Sequence, residues 1–229
     1  MALESLNLGI WDLVALLFFV CAWTSFTAAT VWGLFGRVSL TLAMDRQRQN
    51  WIRTAARRDM RMIDTGIMAG LQQGTAFFAS TCIFAIGGCL ALVGASERVM
   101  TVLADLPFVA TTSRGNFEIK VLGLVVVFAY AFFKFGWAYR LFNYCAILVG
   151  AIPVLTDDSA DADKAAARAA RINVLAGRHF DEGLQGIFFS IGYLGWFVGP
   201  AVFVATTLFV FLVLARRQFF SNARAAVLE

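Results

Sequence analysis

The sequence predicts an all-α, polytopic membrane protein: a four-helix transmembrane bundle with interfacial cytoplasmic helices. Hydrophobic residues make up 60% of the 229 residues and charged residues only 15%, and the mean hydropathy is +0.74. A water-soluble fold of this size cannot bury so much apolar surface, so a bilayer has to cover it.

Four apolar stretches are each long enough to cross about 30 Å of hydrocarbon, which takes roughly 20 helical residues. They cover residues 10–35, 68–95, 121–149 and 184–214. Transmembrane strands would be shorter and would alternate polar with apolar residues, and these stretches do neither. We therefore expect a single membrane domain over residues 1–229.

The Lys and Arg residues between the spans predict the orientation, because cytoplasmic loops carry more of them. The first and third connections, residues 37–66 and 155–182, hold eleven, whereas the second connection and the C-terminal tail hold six. We expect both of these connections in the cytoplasm, the termini in the periplasm and the chain in a bacterial inner membrane. Arg216 and Arg217 oppose this orientation, because they directly follow the last span.

The first connection is long enough to form a helix that lies on the membrane. Trp51 is expected at head-group depth, with Arg53, Arg57 and Arg58 facing anionic lipids. A solvated charged helix that continues the second span fits equally well. The third connection predicts a soluble helix docked under the bundle, followed by His179, which we expect to pack or to hydrogen-bond at the interface.

Two cations in the third predicted span are the most informative polar residues. A charge at the centre of a membrane helix costs about 2.5–3.5 kcal/mol, so Lys134 and Arg140 need partners. Pro200 lacks an N–H and thereby frees the carbonyl of Trp196, to which Lys134 could donate near the midplane.

Arg140 is expected about 9 Å nearer the cytoplasm than Lys134. The polar residues at its depth are Gln72, Gln73 and Asn143. The acids that it could reach are Asp64, Asp181 and Glu182. Two roles stay open for the two cations: holding the helices in register, or lining a site for anions.

Glycine spacing predicts close helix contacts. Gly66, Gly70 and Gly74 are four residues apart, as are Gly195 and Gly199, and such small residues let helix backbones approach each other. We expect both sets to pack inside one bundle rather than between two copies of the chain.

Residues for several kinds of chemistry are missing. His179 is the only histidine, and all four cysteines lie in apolar stretches, so we expect no metal, no haem and no other cofactor. No serine lies in a nucleophile-elbow sequence and no phosphate-binding glycine loop is present. The sequence therefore predicts a protein that is not an enzyme and does not bind nucleic acid.

Several strings resemble a known family of membrane proteins of unknown function. The chain resembles the bacterial branch of the family catalogued as domain of unknown function 599 from about residue 37 to 220. Asp181 and Gln185 stand where that pattern leads us to expect Asn and Arg. The resemblance implies a multi-pass fold and no particular activity. The strings that carry it are Phe77-Phe78-Ala79-Ser80-Thr81, Glu118-Ile119-Lys120, Tyr130-Ala131-Phe132-Phe133-Lys134-Phe135 with Trp137, Arg140 and Asn143-Tyr144, and His179-Phe180 with Gly183-Leu184 and Phe188-Phe189.

Three functions fit these observations. The first is a non-enzymatic accessory or interaction subunit, which pairs with an unidentified membrane protein or with itself through the two cytoplasmic connections. The second is a channel or transporter for anions or small solutes that uses Lys134 and Arg140. The third is a sensor of lipid charge that uses the basic connection 37–66.

Overall fold

A computed structural model describes residues 9–33, 36–104, 113–153 and 159–228. Within them the chain forms eight α-helices and a short 3₁₀ helix, Leu194–Phe197. The helices are α1 Ile10–Trp32, α2 Leu40–Ala56, α3 Met62–Gly94, α4 Ser96–Ala104, α5 Arg114–Gly150, α6 Ser159–Tyr193, α7 Pro200–Phe219 and α8 Asn222–Leu228. Residues 34 and 35 of the predicted first span and residues 155–158 of the third connection lie outside the described residues.

The predicted all-helical membrane fold is confirmed. Four helical segments are long and apolar enough to cross a bilayer: Ile10–Trp32, Met62–Gly94, Arg114–Gly150 and Pro200–Leu228. The first three contain most of the stretches that the sequence predicted.

The bounds predicted for the fourth span, 184–214, are wrong. The chain turns at Gly199 and Pro200, and α7 begins there because a proline without an N–H suits the first turn of a helix. Residues 184–193 instead end the long helix α6, which also contains most of the third connection. The last turns of α6 lie antiparallel to the first turns of α7. There, the Thr206 hydroxyl donates to the Gly192 carbonyl at 2.7 Å. The apolar end of α6 therefore lies beside α7 as a fifth helix in the same layer.

This extra helix places the two ends of the described chain at opposite ends of the bundle. At the end that we call end A, Asp12 of α1 lies beside Trp196. At the other, end B, Arg224 of α8 donates to the Val38 carbonyl. The prediction that both termini lie on the same side of the membrane counted α6 and α7 as one span, and this placement of the described ends does not support it.

Three helices extend beyond the layer at end B. Helix α5 has 37 residues and is about 55 Å long, against about 30 Å of hydrocarbon. It packs antiparallel to α6 along its length, from Gly123 beside Tyr193 to Cys145 beside Ala169. It also packs antiparallel to α3. Small residues of α6, such as Ala166 and Ala169, are fully buried in the extension and let the helices pack closely.

Helix α2 stands along α6 instead of lying on the membrane. Its residues pair with α6 in antiparallel order, from Thr41 with Asp181 to Arg48 with Asn173. The prediction of a surface helix is wrong, because Asp45, Ile52 and other residues of α2 are buried against the extension. The alternative prediction was a solvated helix that continues the second span. It is wrong about the continuation, since a turn at residues 57–61 separates α2 from α3.

Candidate functional site

At end A a buried cation joins three helices. Lys120 of α5 donates to the Trp196 carbonyl at 2.9 Å and lies 3.6 Å from the Asp12 carboxylate of α1. The Trp196 indole N–H donates to the same carboxylate at 2.6 Å. The carbonyl opposite Pro200 does accept a lysine, as the sequence suggested, but the lysine is Lys120 and not Lys134. Charge pairing lets Lys120 stay buried and ties α1, α5 and the 3₁₀ helix together.

Lys134 lies on the same helix 14 residues further on, about 21 Å from Lys120. It forms an ion pair with Glu182 of α6, and its ammonium lies 5.3 Å from the centre of the Tyr130 ring. His179 Nδ1 is 3.6 Å from the Glu182 carboxylate. Lys134 is therefore half-buried and neutralised towards end B, and Pro200 lies at the other end of the bundle. The prediction of a contact between Lys134 and Trp196 near the midplane is wrong.

Arg140 faces outwards from α5. Its Nε donates to the Tyr144 hydroxyl at 2.6 Å, and its guanidinium lies 5.9 Å from the Trp137 ring. The predicted contact with Asp64, Asp181 or Glu182 is wrong, because Arg140 points away from the bundle. An outward Arg between Trp and Tyr is typical of the membrane–water boundary. We therefore expect these three residues to lie at the boundary at end B.

The polar residues that were predicted to lie at the depth of Arg140 do not form one cluster. Gln72 of α3 donates to the Asn143 carbonyl oxygen at 2.7 Å, which joins α3 and α5 one turn beyond Arg140. Gln73 lies on the exposed side of α3. The structure thus brings together Gln72 and Asn143 but gathers neither Gln73 nor Pro200 with the two cations.

Sequence analysis missed a polar network between α2, α6 and α7 at end B. Arg178 donates to Asp45 at 2.9 Å, and Arg48 donates to Asn173 at 2.9 Å. Burial raises the pKa of Asp45, and the hydrogen bond from Arg178 opposes this effect. The i, i+3 and i+4 spacing of Thr41, Asp45 and Arg48 on one side of α2 could have indicated a polar face.

Asp181 lies at the centre of this network. It accepts a hydrogen bond from the Thr41 hydroxyl at 3.0 Å, and Gln218 of α7 donates to the same hydroxyl at 3.1 Å. Burial raises the pKa of Asp181 to about 6, although the nearby Arg48 guanidinium lowers it. Two cavities, of about 140 and 190 Å³, lie next to Asp181 and Gln218. The arrangement provides room for water or a small polar molecule beside an ionisable group.

At the far tip of end B, arginines hold the turn between α2 and α3. Arg61 donates to the carbonyls of Val149 and Ile152 at 3.2 and 2.8 Å, at the C-terminal end of α5. Arg58 and the Trp51 indole N–H both donate to the buried Asp64 carboxylate at 2.7 Å. Trp51 is therefore hydrogen-bonded within the extension, and its head-group depth stays a prediction.

Two of the predicted interfacial arginines lie free on the extension. Arg53 and Arg57 are exposed, and neither forms an ion pair with a residue of the described chain. Arg58, the third, is the one bound to Asp64. His179 lies near Glu182 on α6, and its interfacial position stays a prediction.

Metal ligands are not gathered in the part of the chain that the structure describes: no three His, Cys, Asp or Glu side chains there could hold an ion together. The four cysteines are free thiols, three of them buried. The prediction that the protein needs no cofactor stays a prediction.

Comparison with known families gives one match. The family model DUF599, described as a protein of unknown function, matches residues 14–223. No curated protein and no solved structure matches the chain.

Proposed function

The chain belongs to the DUF599 family, and we propose that it works as a non-enzymatic interaction subunit of the bacterial inner membrane. The observation that carries this proposal is the packed extension at end B, formed by α2, the start of α3, the end of α5 and the first half of α6. A rigid helical platform beyond the bilayer, with hydrogen-bonded buried charges and no gathered catalytic set among the described residues, suits docking better than chemistry.

The distribution of cations supports a cytoplasmic location for end B. Only Arg98, Arg114 and Lys120 lie at end A. Fourteen of the nineteen Lys and Arg residues lie at end B: Arg37, Arg46, Arg48, Arg53, Arg57, Arg58, Arg61, Lys164, Arg168, Arg171, Arg178, Arg216, Arg217 and Arg224. Arg216 and Arg217 no longer oppose the positive-inside rule, because α7 ends at end B. We propose that α1 begins in the periplasm and α8 lies in the cytoplasm.

Cysteine labelling tests this orientation. In a cysteine-free variant, Arg98→Cys should react with a membrane-impermeant maleimide added outside spheroplasts, and Arg168→Cys should react only after the cells are opened. The reverse pattern would place the extension outside the cytoplasm and overturn the proposed orientation.

Crosslinking in native membranes tests the subunit role. A photoreactive amino acid placed at exposed positions of the extension should give discrete crosslinked species that mass spectrometry identifies as the same partner from several positions. Absence of such species at every position, with normal expression and folding, would contradict the subunit role.

A second candidate, passage of a small solute, draws on the two cavities beside Asp181. It would run through α2, α6 and α7 rather than past Lys134 and Arg140, because Lys134 is paired and Arg140 faces outwards. Solute flux into liposomes that Asp181→Asn abolishes would favour passage over the subunit role. The third function, a sensor of lipid charge, is weakened by the upright position of α2, which carries Arg53 and Arg57 away from the head groups.

A further inference from the structure

Helix α3 packs on one side only. Four of its five buried residues, Met68, Thr75, Cys82 and Cys89, recur every seven residues and face the rest of the bundle. None of the residues that the structure describes covers the opposite side of the helix. At Gly66 and Gly70 on that side, an added Cβ would meet no atom within 4 Å. A partner helix could therefore approach the backbone of α3 closely at these two glycines.

This open side continues beyond the membrane. Gln72 pairs with Asn143, one turn past the boundary residue Arg140, so Ile63 lies about 14 Å further from the bilayer along α3. Head groups add only about 5–8 Å to each side of the hydrocarbon. Ile63 and the residues before it therefore face water rather than lipid.

Apolar side chains nevertheless cover this part of the surface. Met60, Met62 and Ile63 are 72%, 73% and 68% exposed, and Ile67 is exposed one turn closer to the bilayer. We call these four residues the tip patch. Isolated exposed apolar residues are normal, but neighbouring ones rich in Met are typical of protein-binding surfaces. Lipid can cover the open side of α3 inside the bilayer, but it cannot cover the tip patch.

The segment around the tip patch, residues 53–63, carries four arginines and one aspartate. Arg53 and Arg57, at the end of α2 just before the patch in the chain, are exposed and have no ion-pair partner among the described residues. Arg58 and Arg61 are already bound within the turn. The only exposed carboxylate in residues 53–63 is that of Asp59. A ligand of the patch should therefore carry negative charge beside an apolar face.

We propose that the tip patch binds an acidic amphipathic helix of a membrane-anchored partner, which continues along Gly66 and Gly70 towards the bilayer. This inference rests on the proposed function and names the partner's chemistry. A second copy of the chain fits poorly: two copies in one membrane share an orientation, so a twofold axis at the patch would bring their Arg53 and Arg57 side chains together.

Peptide binding to the full-length protein tests the chemistry. The protein is placed in phosphatidylcholine nanodiscs, and the probes are labelled helical peptides of about five turns, roughly 18 residues. One carries a Leu face and a Glu face; a second replaces every Glu by Lys; a third scrambles the acidic sequence so that no apolar face remains. We expect the acidic amphipathic peptide to bind about tenfold more tightly than either other peptide, after subtraction of binding to empty nanodiscs.

Variants locate the binding. Met62→Ser with Ile63→Ser should weaken binding of the acidic amphipathic peptide about tenfold. Arg53→Glu with Arg57→Glu should reverse the preference between the Glu and Lys peptides. Arg168→Glu, an exposed charge at similar height on α6, is the matched control and should change neither. Equal binding of the Glu and Lys peptides, or no effect of the serine variant, would overturn the inference.

Photocrosslinking separates this inference from the proposed function. A photoreactive residue at Ile63 should crosslink to a partner with an acidic segment beside its membrane helix, whereas one at Ala167, at similar height on α6, should not. Crosslinks from Ala167 alone would keep the subunit role and overturn the tip patch. A product of twice the chain's own mass from Ile63 would assign the patch to a second copy and overturn the acidic partner.

Discussion

The glycines of α3 and those at the end of α6 have opposite surroundings. On α6 and the 3₁₀ helix after it, neighbours fill the space beside the glycines: a Cβ at Gly183 would lie 2.8 Å from the Phe135 ring, and one at Gly195 would lie 2.9 Å from the Val202 carbonyl oxygen. On α3, a Cβ at Gly66, Gly70 or Gly74 would meet nothing within 4 Å. The expectation that the α3 glycines pack inside the bundle is wrong. Small-residue spacing thus indicates that a close approach is available, but not which helix makes it.

The largest expected effect concerns the buried ion pair of Lys120 with Asp12, which holds the segment after α6 against α1 and α5. Lys120→Met leaves the Asp12 carboxylate without its cation and the Trp196 carbonyl without its donor. Loss of one partner of a buried ion pair costs about 3–5 kcal/mol, so we expect a clear fall in thermal stability in detergent. Lys164→Met, in an exposed pair with Asp161, should change nothing. Equal stability of the two variants would mean that the ion pair of Lys120 does not stabilise the fold.

The glycine contrast can be tested directly by adding side chains. Gly195→Leu forces a side chain against the α7 backbone, and overpacking of this kind typically costs about 1–3 kcal/mol. Gly70→Leu meets open space and removes a glycine from a helix, so it should be neutral or stabilise by up to about 1 kcal/mol. Unfolding followed by tryptophan fluorescence measures both. A Gly70→Leu variant that is also strongly destabilised would show that α3 is covered even in the isolated protein.

Protonation of Asp181, which lies on α6 towards end B, provides a further test. The pKa of Asp181 is about 6 in the fold against an ordinary value of 3.8, because burial penalises the charged form. The folded state therefore binds the proton more tightly than the unfolded state. The contribution of Asp181 to the stability of the fold is therefore most favourable below pH about 4, falls as the pH rises to about 6 and stays lower above that. Neighbouring Arg48 opposes this penalty, and Asp45 and Glu182 add to it.

Asp181→Asn removes this penalty and keeps an acceptor for Thr41. We expect the variant to be more stable than the natural protein by about 1–2 kcal/mol above pH 6, with the difference vanishing near pH 4. Thermal unfolding across this pH range measures it. A constant difference at every pH would mean that Asp181 keeps its ordinary pKa in the fold.

The smallest effect is expected on the packed side of α3. Gln72→Leu removes the hydrogen bond to Asn143, and a typical hydrogen bond contributes about 0.5–1.5 kcal/mol to stability. Gln73→Leu, next to it on the open side, is the control and should have no effect on the purified protein. If Gln73→Leu disrupts crosslinking to a partner while Gln72→Leu does not, the open side of α3 is the functional one.

The sequence was a good guide wherever one helix could be judged alone. The first three apolar stretches became α1, α3 and α5, because long apolar runs satisfy their own backbone hydrogen bonds in lipid. The prediction of one span over residues 184–214 failed, since a proline such as Pro200 is compatible both with a kink inside a helix and with the first residue of a new helix. Sequence analysis also misassigned Lys134, because its partner Glu182 lies far away in the chain. It misassigned the contacts of Arg140 because the side chain faces outwards and meets Tyr144 on its own helix.

By itself the sequence determined that this protein is helical and lies in a membrane, and that its cations gather mostly in a few connections. Composition decides these properties, because transfer of a side chain into lipid depends on that side chain alone. Only the tertiary structure decided that Lys120, not Lys134, meets Trp196, that the described ends of the chain lie at opposite ends of the bundle, and that α3 keeps an open side. Pairing and packing depend on which helices become neighbours, and no local pattern encodes this choice.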